Sequence, residues 1–267
     1  MKYRRFLLVL AALVFSTAYA EEEKEPGFNE ATFMGLEMRS VGPAFMSGRI
    51  ADIVIDPTDP STWYVGVGSG GVWKTTNAST TWTPVFDNEG SYSIGCIALD
   101  PNNPNTVWVG TGENVSGPHV GYGDGIYRSR DGGQSWENMG LKNSEHIGMI
   151  RIDPRDSDTI FVAVQGPLWS GGGDRGLYKS TDGGKNWRKV LGDGHGITDE
   201  DDQYTGVNEV HMDARNPVVM YSVSWERLRR VAVVMDGGAG TGIHMSVDGG
   251  ETCRELTNGL PEEMMGK

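Results

Sequence analysis

The sequence predicts an all-β chain, a β-propeller built of four-stranded antiparallel blades, and two observations carry that prediction. The first is a phrase that returns at spacings of roughly fifty residues, the mark of a repeat architecture. It reads Ser129-Arg-Asp131-Gly-Gly133-Gln-Ser-Trp136, Ser180-Thr-Asp182-Gly-Gly184-Lys-Asn-Trp187 and Ser246-Val-Asp248-Gly-Gly250-Glu-Thr-Cys253, with a degraded copy at Thr75-Thr-Asn77-Ala-Ser79-Thr-Thr-Trp82. The second is a short apolar run before each copy, led by Gly48, Gly95, Gly148 or Gly206 and closed by Asp56-Pro, Asp100-Pro, Asp153-Pro or Asp213-Ala. A β-branched run that stops at such a dipeptide reads as a strand ending in a turn.

Each part of the repeat has a physical reason. The first run gives the innermost strand. A second run follows at Trp63–Val67, Val107–Gly110, Ile160–Val164 and Val219–Val223, and a third at Val72-Trp-Lys, Ile126-Tyr-Arg, Leu177-Tyr-Lys and Ile243-His-Met. The recurring phrase then makes a tight turn, in which Gly133, Gly184 and Gly250 supply positive φ. Asp131, Asp182 and Asp248, with Asn77 in the first copy, accept hydrogen bonds from the turn's own backbone. Trp82, Trp136 and Trp187 open the last strand and fill the wedge between neighbouring sheets, a place Cys253 takes in the fourth unit. Four strands per unit make one blade.

The boundaries that follow are a signal peptide at 1–20, an N-terminal segment at 21–47, and blades at 48–92, 93–145, 146–205 and 206–261, with the opening of a fifth repeat at the end. Residues 36–41 read as a further outer strand without a blade of its own. The expectation is therefore a piece of a larger propeller whose downstream repeats are missing, with a closed four-bladed ring as the alternative. Lys2, Arg4 and Arg5, the apolar run Phe6–Phe15 and the small-x-small ending Ala18-Tyr-Ala20 form the signal peptide, with cleavage near Ala20 and a secreted or periplasmic product. No other run is long and apolar enough to span a membrane. The formal net charge of −13, more negative once those residues are removed, argues against nucleic-acid and anionic-membrane partners. Cys96 and Cys253 fall on an inner and an outer strand two blades apart, too far for a disulfide, so both read as free thiols. The acidic run Thr198–Asp202 matches no calcium-loop spacing, and neither metal nor cofactor is expected.

Function is sought on the face opposite the Asp turns, where the long connections between second and third strands gather. These are Glu113–Asp124, Gln165–Arg175 and Trp225–Gly242; the first unit has only Gly68-Ser-Gly70. Long loops on a rigid scaffold concentrate binding residues. Tyr122, Trp169 and Trp225 are read as exposed stacking faces. Asp124 and Glu226 are read as carboxylates, and Arg49, Arg175 and Arg227 as anion holders, with His119 beside them. Glu113 and Asp174 are the candidate acid and base.

The repeated phrase resembles the Asp-box, or BNR repeat. Together with Ser40-Val-Gly-Pro43, Gly110-Thr-Gly-Glu-Asn114, Gly121-Tyr-Gly-Asp-Gly125 and Gly166-Pro-Leu-Trp169, it resembles a family of large secreted bacterial propellers. These are sortilin N-terminal-domain-like proteins often labelled glycosyl hydrolases. That resemblance implies a module binding a peptide or protein ligand on the loop face, with a glycoside hydrolase or glycan-binding propeller as the alternative. It also implies where catalysis fails to transfer. The xyloglucanases that share this blade pattern place an Asp where Gly68 stands here, and the sialidase Arg-Ile-Pro phrase survives only as Arg49-Ile-Ala.

Overall fold

A computed structural model describes residues 48–192 and 203–260, together with Thr32, Met34 and Gly35. The chain divides into two units, Met1–Arg39 and Ser40–Lys267, and every strand among the described residues lies in the second. The expected signal peptide, the outer strand at 36–41, the acidic run at 198–202 and the start of a fifth repeat lie outside the described residues.

The described residues are all-β and fold as blades. Blade one is β1 (Ile50–Ile55), β2 (Trp63–Val67), β3 (Gly71–Thr75) and β4 (Thr83–Pro84). Blade two is β5 (Ile94–Asp100), β6 (Asn103–Thr111), β7 (Ile126–Ser129) and β8 (Glu137–Asn138). Blade three is β9 (Ile147–Asp153), β10 (Asp156–Val164), β11 (Gly176–Ser180) and β12 (Arg188–Leu191). Blade four is β13 (Thr205–Met212), β14 (Met220–Arg229), β16 (Gly242–Ser246) and β17 (Arg254–Glu255), with β15 (Val234–Asp236) paired to the far half of β14. Each blade is ordered first strand to last, all antiparallel. The first strands of consecutive blades touch one another, which places them innermost.

Two details differ from the sequence reading. The outer ladders begin one residue after Trp82, Trp136 and Trp187: the Trp136 and Trp187 indoles turn into the seams behind their blades, and Trp82 packs against Val65, Val67 and Trp73 of its own blade. The blade-four insertion is not a plain loop: the β-branched residues around Val234 zip onto Arg227–Arg229 and lengthen the hairpin.

The turns behave as their chemistry requires. Asp56, Asp100, Asp153 and Asp213 each cap the exit of an innermost strand, accepting the N–H two residues on at 2.7 to 2.9 Å. In the recurring turn, Asp131 Oδ1 accepts from the Gln134 and Ser135 amides at 2.9 Å, and the Ser129 hydroxyl accepts from the Gly133 amide at 2.8 Å. Asp182 and Asp248 repeat the arrangement, and Asn77 keeps part of it. These bonds, led by the side-chain donors Ser135 and Thr252, hold Asp131 and Asp248 far below the ordinary carboxylate range, and Asn186 leads those that bring Asp182 to about 2. Gly184 and Gly250 have a second reason to lack a side chain. A Cβ there would press into the Trp108 and Phe161 rings of the preceding blade.

The cores lie in the seams between blades. Tyr64, Phe86, Val107 and Val109 fill the seam between blades one and two, and Trp108, Ile147, Ile160 and Val162 the next. Phe161, Leu177, Val207 and Met220 fill the third. A large buried side chain such as Trp108 contributes on the order of 3 kcal/mol by leaving water. Cys96 is buried in the second seam, where burial pushes its thiol up. Cys253 is half-buried and pushed up to about 11, first by burial and then by Asp248; both thiols are free.

Candidate functional site

Each third strand begins at a loop and ends at an Asp turn, so the long connections and the turns occupy opposite faces. On the loop face, the β2–β3 turn, the β4–β5 connection and the β6–β7 loop meet at Ser93. Its buried hydroxyl bonds the Gly68 and Gly121 carbonyls at 2.9 Å and accepts the Glu113 amide at 3.0 Å. Glu113 is thereby turned inward. Its carboxylate fills the room a side chain at Gly68 would take, so Gly68 is the residue that lets a blade-two acid enter blade one.

Arg49 reaches over from the start of β1, pairing with Glu113 Oε1 and donating to His119 Nε2. Glu113 is 2% exposed and Arg49 46%, so the pair shows its cationic end to solvent. Glu113 Oε2 has no hydrogen-bond partner among the described residues. Beneath it, His146 donates from Nδ1 to the Glu113 carbonyl at 2.8 Å, leaving Nε2 a bare acceptor. Burial, aided by the Arg227 charge, pushes that imidazole down to about 3, and the ring is neutral. The Tyr122 ring stands edge-on to it at 5.9 Å.

The remaining loops are tied to this centre by arginines. Arg175 donates to the carbonyls of Gln165, Pro167, Ser170, Gly172 and Tyr204, closing the blade-three loop around itself. Arg227 donates to the Gly166 carbonyl at 2.8 Å and lies over the Trp225 ring at 5.0 Å. Arg229 reaches the Ser116 carbonyl at 3.1 Å. Blade four thus grips the loop that carries Glu113. Burial, then the neighbouring Arg175 charge, brings Arg227 down to about 9.

Several expectations need correction here. Trp225 is 2% exposed and offers no stacking face, because the extended hairpin carries it inward. Arg175 and Arg227 are fully buried, their donors turned to loop carbonyls rather than to a ligand. A loop without a ladder leaves such carbonyls facing inward, and a guanidinium is the side chain with enough donors to satisfy them. Glu226 is likewise buried, accepting the Gly240 amide. Asp124 accepts from the Tyr127 hydroxyl at 2.6 Å, and Asp174 from the Asn143 amide at 2.9 Å. Glu113 and Asp174 share no partner among the described contacts. Arg49, His119, Tyr122 and Trp169 do reach the surface.

The sequence reading passed over Ser93, His146 and Tyr92. A signal was present: Ser93-Ile-Gly95 and His146-Ile-Gly148 place a polar residue at the same point of two repeats. Tyr92, 65% exposed, lies beside Gly121 and so next to Tyr122, 54% exposed.

No protein-family model matches the chain. It is similar to a xyloglucanase from a Paenibacillus species, 28% identical over 158 residues that cover 56% of this chain and 12% of that relative. Among solved structures it is similar to an ancestral GH74 enzyme, with a TM-score of 0.60 and 20% identity over 80% of this chain and 26% of the other. A GH74 enzyme from Niastella koreensis gives 0.54 and 22%, over 76% and 28% of the two chains. The GH74 xyloglucanase from Xanthomonas campestris gives 0.54 and 17%, over 80% and 31%. The fold these likenesses define is the β-propeller. The chain spans 12% of the curated relative and 26% to 31% of these structures.

Proposed function

We propose that this chain is a secreted propeller of the glycoside-hydrolase type that binds a polysaccharide of the xyloglucan class across its loop face. The observation that carries the reading is the pair of exposed tyrosines, Tyr92 and Tyr122, the latter on the loop that also carries Glu113, the partner of Arg49 in the Arg49–His119 pair. Aromatic faces take the apolar side of a sugar ring, while a guanidinium and an imidazole bond its hydroxyls. Glu113 serves as the anchor that orients Arg49, and Asp174 as a brace for the Asn143 loop. The xyloglucanase relative supports this reading over the peptide-binding, sortilin-like one, although the repeats keep the Asp-box character that suggested the latter. Secretion rests on the leader read in residues 1–20.

The test is affinity electrophoresis of the full chain in gels containing xyloglucan, with release of reducing ends followed in the same samples. Retardation that Tyr92→Ala with Tyr122→Ala removes is expected. Binding that survives the double substitution would move the site elsewhere, and binding to peptides with none to polysaccharide would return the sortilin-like reading.

A further inference from the structure

The three seams between blades share one set of contacts on the Asp-turn face. A third-strand cation crosses to a glycine carbonyl in the next blade's Asp turn: Lys74 to Gly132, Arg128 to Gly183, Lys179 to Gly249. A second-strand aromatic pairs opposite each cation, Tyr64, Trp108 and Phe161 in turn. The same glycine donates its amide to Asn105, Asp158 or Val218 at 2.9 to 3.0 Å.

In the first two seams this point is filled. A Cβ on Gly132 would lie 3.0 Å from Lys74 Nζ and 3.4 Å from the Tyr64 hydroxyl, and one on Gly183 would lie 2.9 Å from Asp158 Oδ1. Across the second seam, Ser157 also bonds Asp100 at 2.9 Å and Asn102 at 3.1 Å. The third seam lacks these groups. Phe161 has no hydroxyl and is smaller than Trp108, Val218 stands where Asn105 and Asp158 do, and Pro217 where Ser157 does. A Cβ on Gly249 would meet no described atom within 4 Å. What remains is a groove of about 390 Å³ between blades three and four. Every connection on this face lies among the described residues, and a blade walls the groove on each side.

The lining selects the ligand. Phe161, Pro217 and Val218 are apolar, and around them stand Asp153, Asp156 and Asp248 with Arg155 and Lys179. The charges are already paired. Arg155 holds Asp153 at 2.5 Å, Lys179 pairs with Glu251 at 2.7 Å, and Asp156 and Asp248 accept the Thr159 and Thr252 hydroxyls at 2.8 and 2.6 Å. A free anion would meet three carboxylates and a free cation two bases, so the groove favours neither. Spare capacity of both kinds is left: Arg155 Nη1 and a third Lys179 proton can donate, and the outer lone pairs of Asp156 can accept. An uncharged ligand whose hydroxyls donate and accept, and whose C–H face is apolar, matches every part of this lining.

We propose that the groove is a carbohydrate site in its own right, on the face opposite Tyr92 and Tyr122. It holds a single pyranose unit, with vicinal hydroxyls on Arg155 and Asp156 and the C–H face against Pro217 and Val218. With the loop face occupied as well, two sites facing apart would link separate glycan strands.

Amide NMR spectra of the full chain titrated with D-glucose, D-galactose and D-xylose test this, with sulfate and calcium as ionic controls. A sugar unit is expected to bind near the millimolar range and to shift the Thr159, Lys179, Val218 and Gly249 amides. Val218→Asn gives the third seam the residue of the first and should weaken that binding by about 10-fold. Circular dichroism checks its fold; should it fail, Arg155→Gln, on the exposed rim, removes the donors and is read in the same way. No shift at those four amides with any sugar up to roughly 100 mM overturns the proposal. So do shifts there with sulfate or calcium but not with sugar, and sugar shifts that the substitution leaves unchanged. Shifts confined to Tyr92, Gly121 and Tyr122 overturn this site and uphold the loop-face reading, whereas shifts at Gly249 with none at those residues uphold this site and count against the other.

Discussion

Between blades two and three, the Trp187 indole crosses to the Met139 carbonyl at 2.8 Å, and Arg128 crosses back to the Gly183 carbonyl at 2.5 Å. Between blades three and four, Cys253 stands where the indole would be, and only the return crossing survives, from Lys179 to the Gly249 carbonyl at 2.8 Å. Glu251 makes up part of the loss by pairing with both Lys179 and Arg188 at 2.7 Å. One seam is therefore pinned by a half-buried aromatic and a buried guanidinium, the other by an ion-pair cluster in which Glu251 and Arg188 are more than half exposed. An aromatic pin gains from leaving water, whereas an exposed ion pair gains little and is screened by salt. The same repeat thus yields seams of unequal strength.

Acid provides the largest separation of the two regions. His146 sits at the loop end of the stronger seam, held neutral at about 3 against an ordinary 6.5, and His244 sits inside blade four at about 4, in both cases by burial first. The folded state binds fewer protons than the unfolded chain between those values and 6.5, so stability falls as pH drops through that window. At about pH 4 the His146 contribution alone is on the order of 3 kcal/mol. His146→Gln keeps a donor for the Glu113 carbonyl and is expected to flatten the melting temperature between pH 7 and 4 more than His244→Gln does. A slope unchanged in both variants would place the acid sensitivity elsewhere. The Asp182 turn does not interfere, because its depressed carboxyl loses its stabilisation only below the ordinary 3.8, on the way to about 2.

The next effect belongs to the pins themselves. Trp187→Ala removes a half-buried aromatic and its hydrogen bond, and should lower unfolding free energy by about 3 kcal/mol. Cys253→Ala, at the same point of the weaker seam, should cost about 1 kcal/mol. Urea unfolding of both variants measures the difference. Equal losses would show that the indole pin is not what distinguishes the seams.

Much of this contrast was written in the sequence. The Asp-Gly-Gly turns and the Asp-Pro strand exits named their positions because glycine at positive φ and an aspartate cap leave few alternatives. The replacement of tryptophan by Cys253 was equally visible. The return crossing leaves only a cation after an aromatic in three third strands, which the sequence reading passed over because its target is a backbone carbonyl and carries no side-chain signature. The candidate site was less readable. Arg49, His119 and Tyr122 reach the surface, whereas Trp225, Arg175 and Arg227, which the sequence offers as surface groups just as readily, are buried. Whether a loop arginine points outward depends on how many carbonyls the loop leaves unpaired, which only its folded path decides. The entry of Glu113 into the space beside Gly68 also depends on two blades meeting, and no single repeat contains that information.

The smallest effect tests the ion-pair half of the comparison. Glu251 is 52% exposed, and its carboxyl is lowered first by the Lys179 hydrogen bond and then by the Lys179 and Arg188 charges. Because the group is so open, its pairing is worth at most about 1 kcal/mol. Glu251→Gln keeps the shape and removes the charge, so it should lower the melting temperature slightly in dilute buffer. In about 1 M salt, where the screening length falls to about 3 Å, the variant and the parent should melt together. Trp187→Ala gives the control, since a lost aromatic contact is not restored by screening and its deficit should persist in salt. If the Glu251→Gln deficit also persisted, the carboxylate would be acting through its hydrogen-bond geometry, and the third seam would be pinned as firmly as the second.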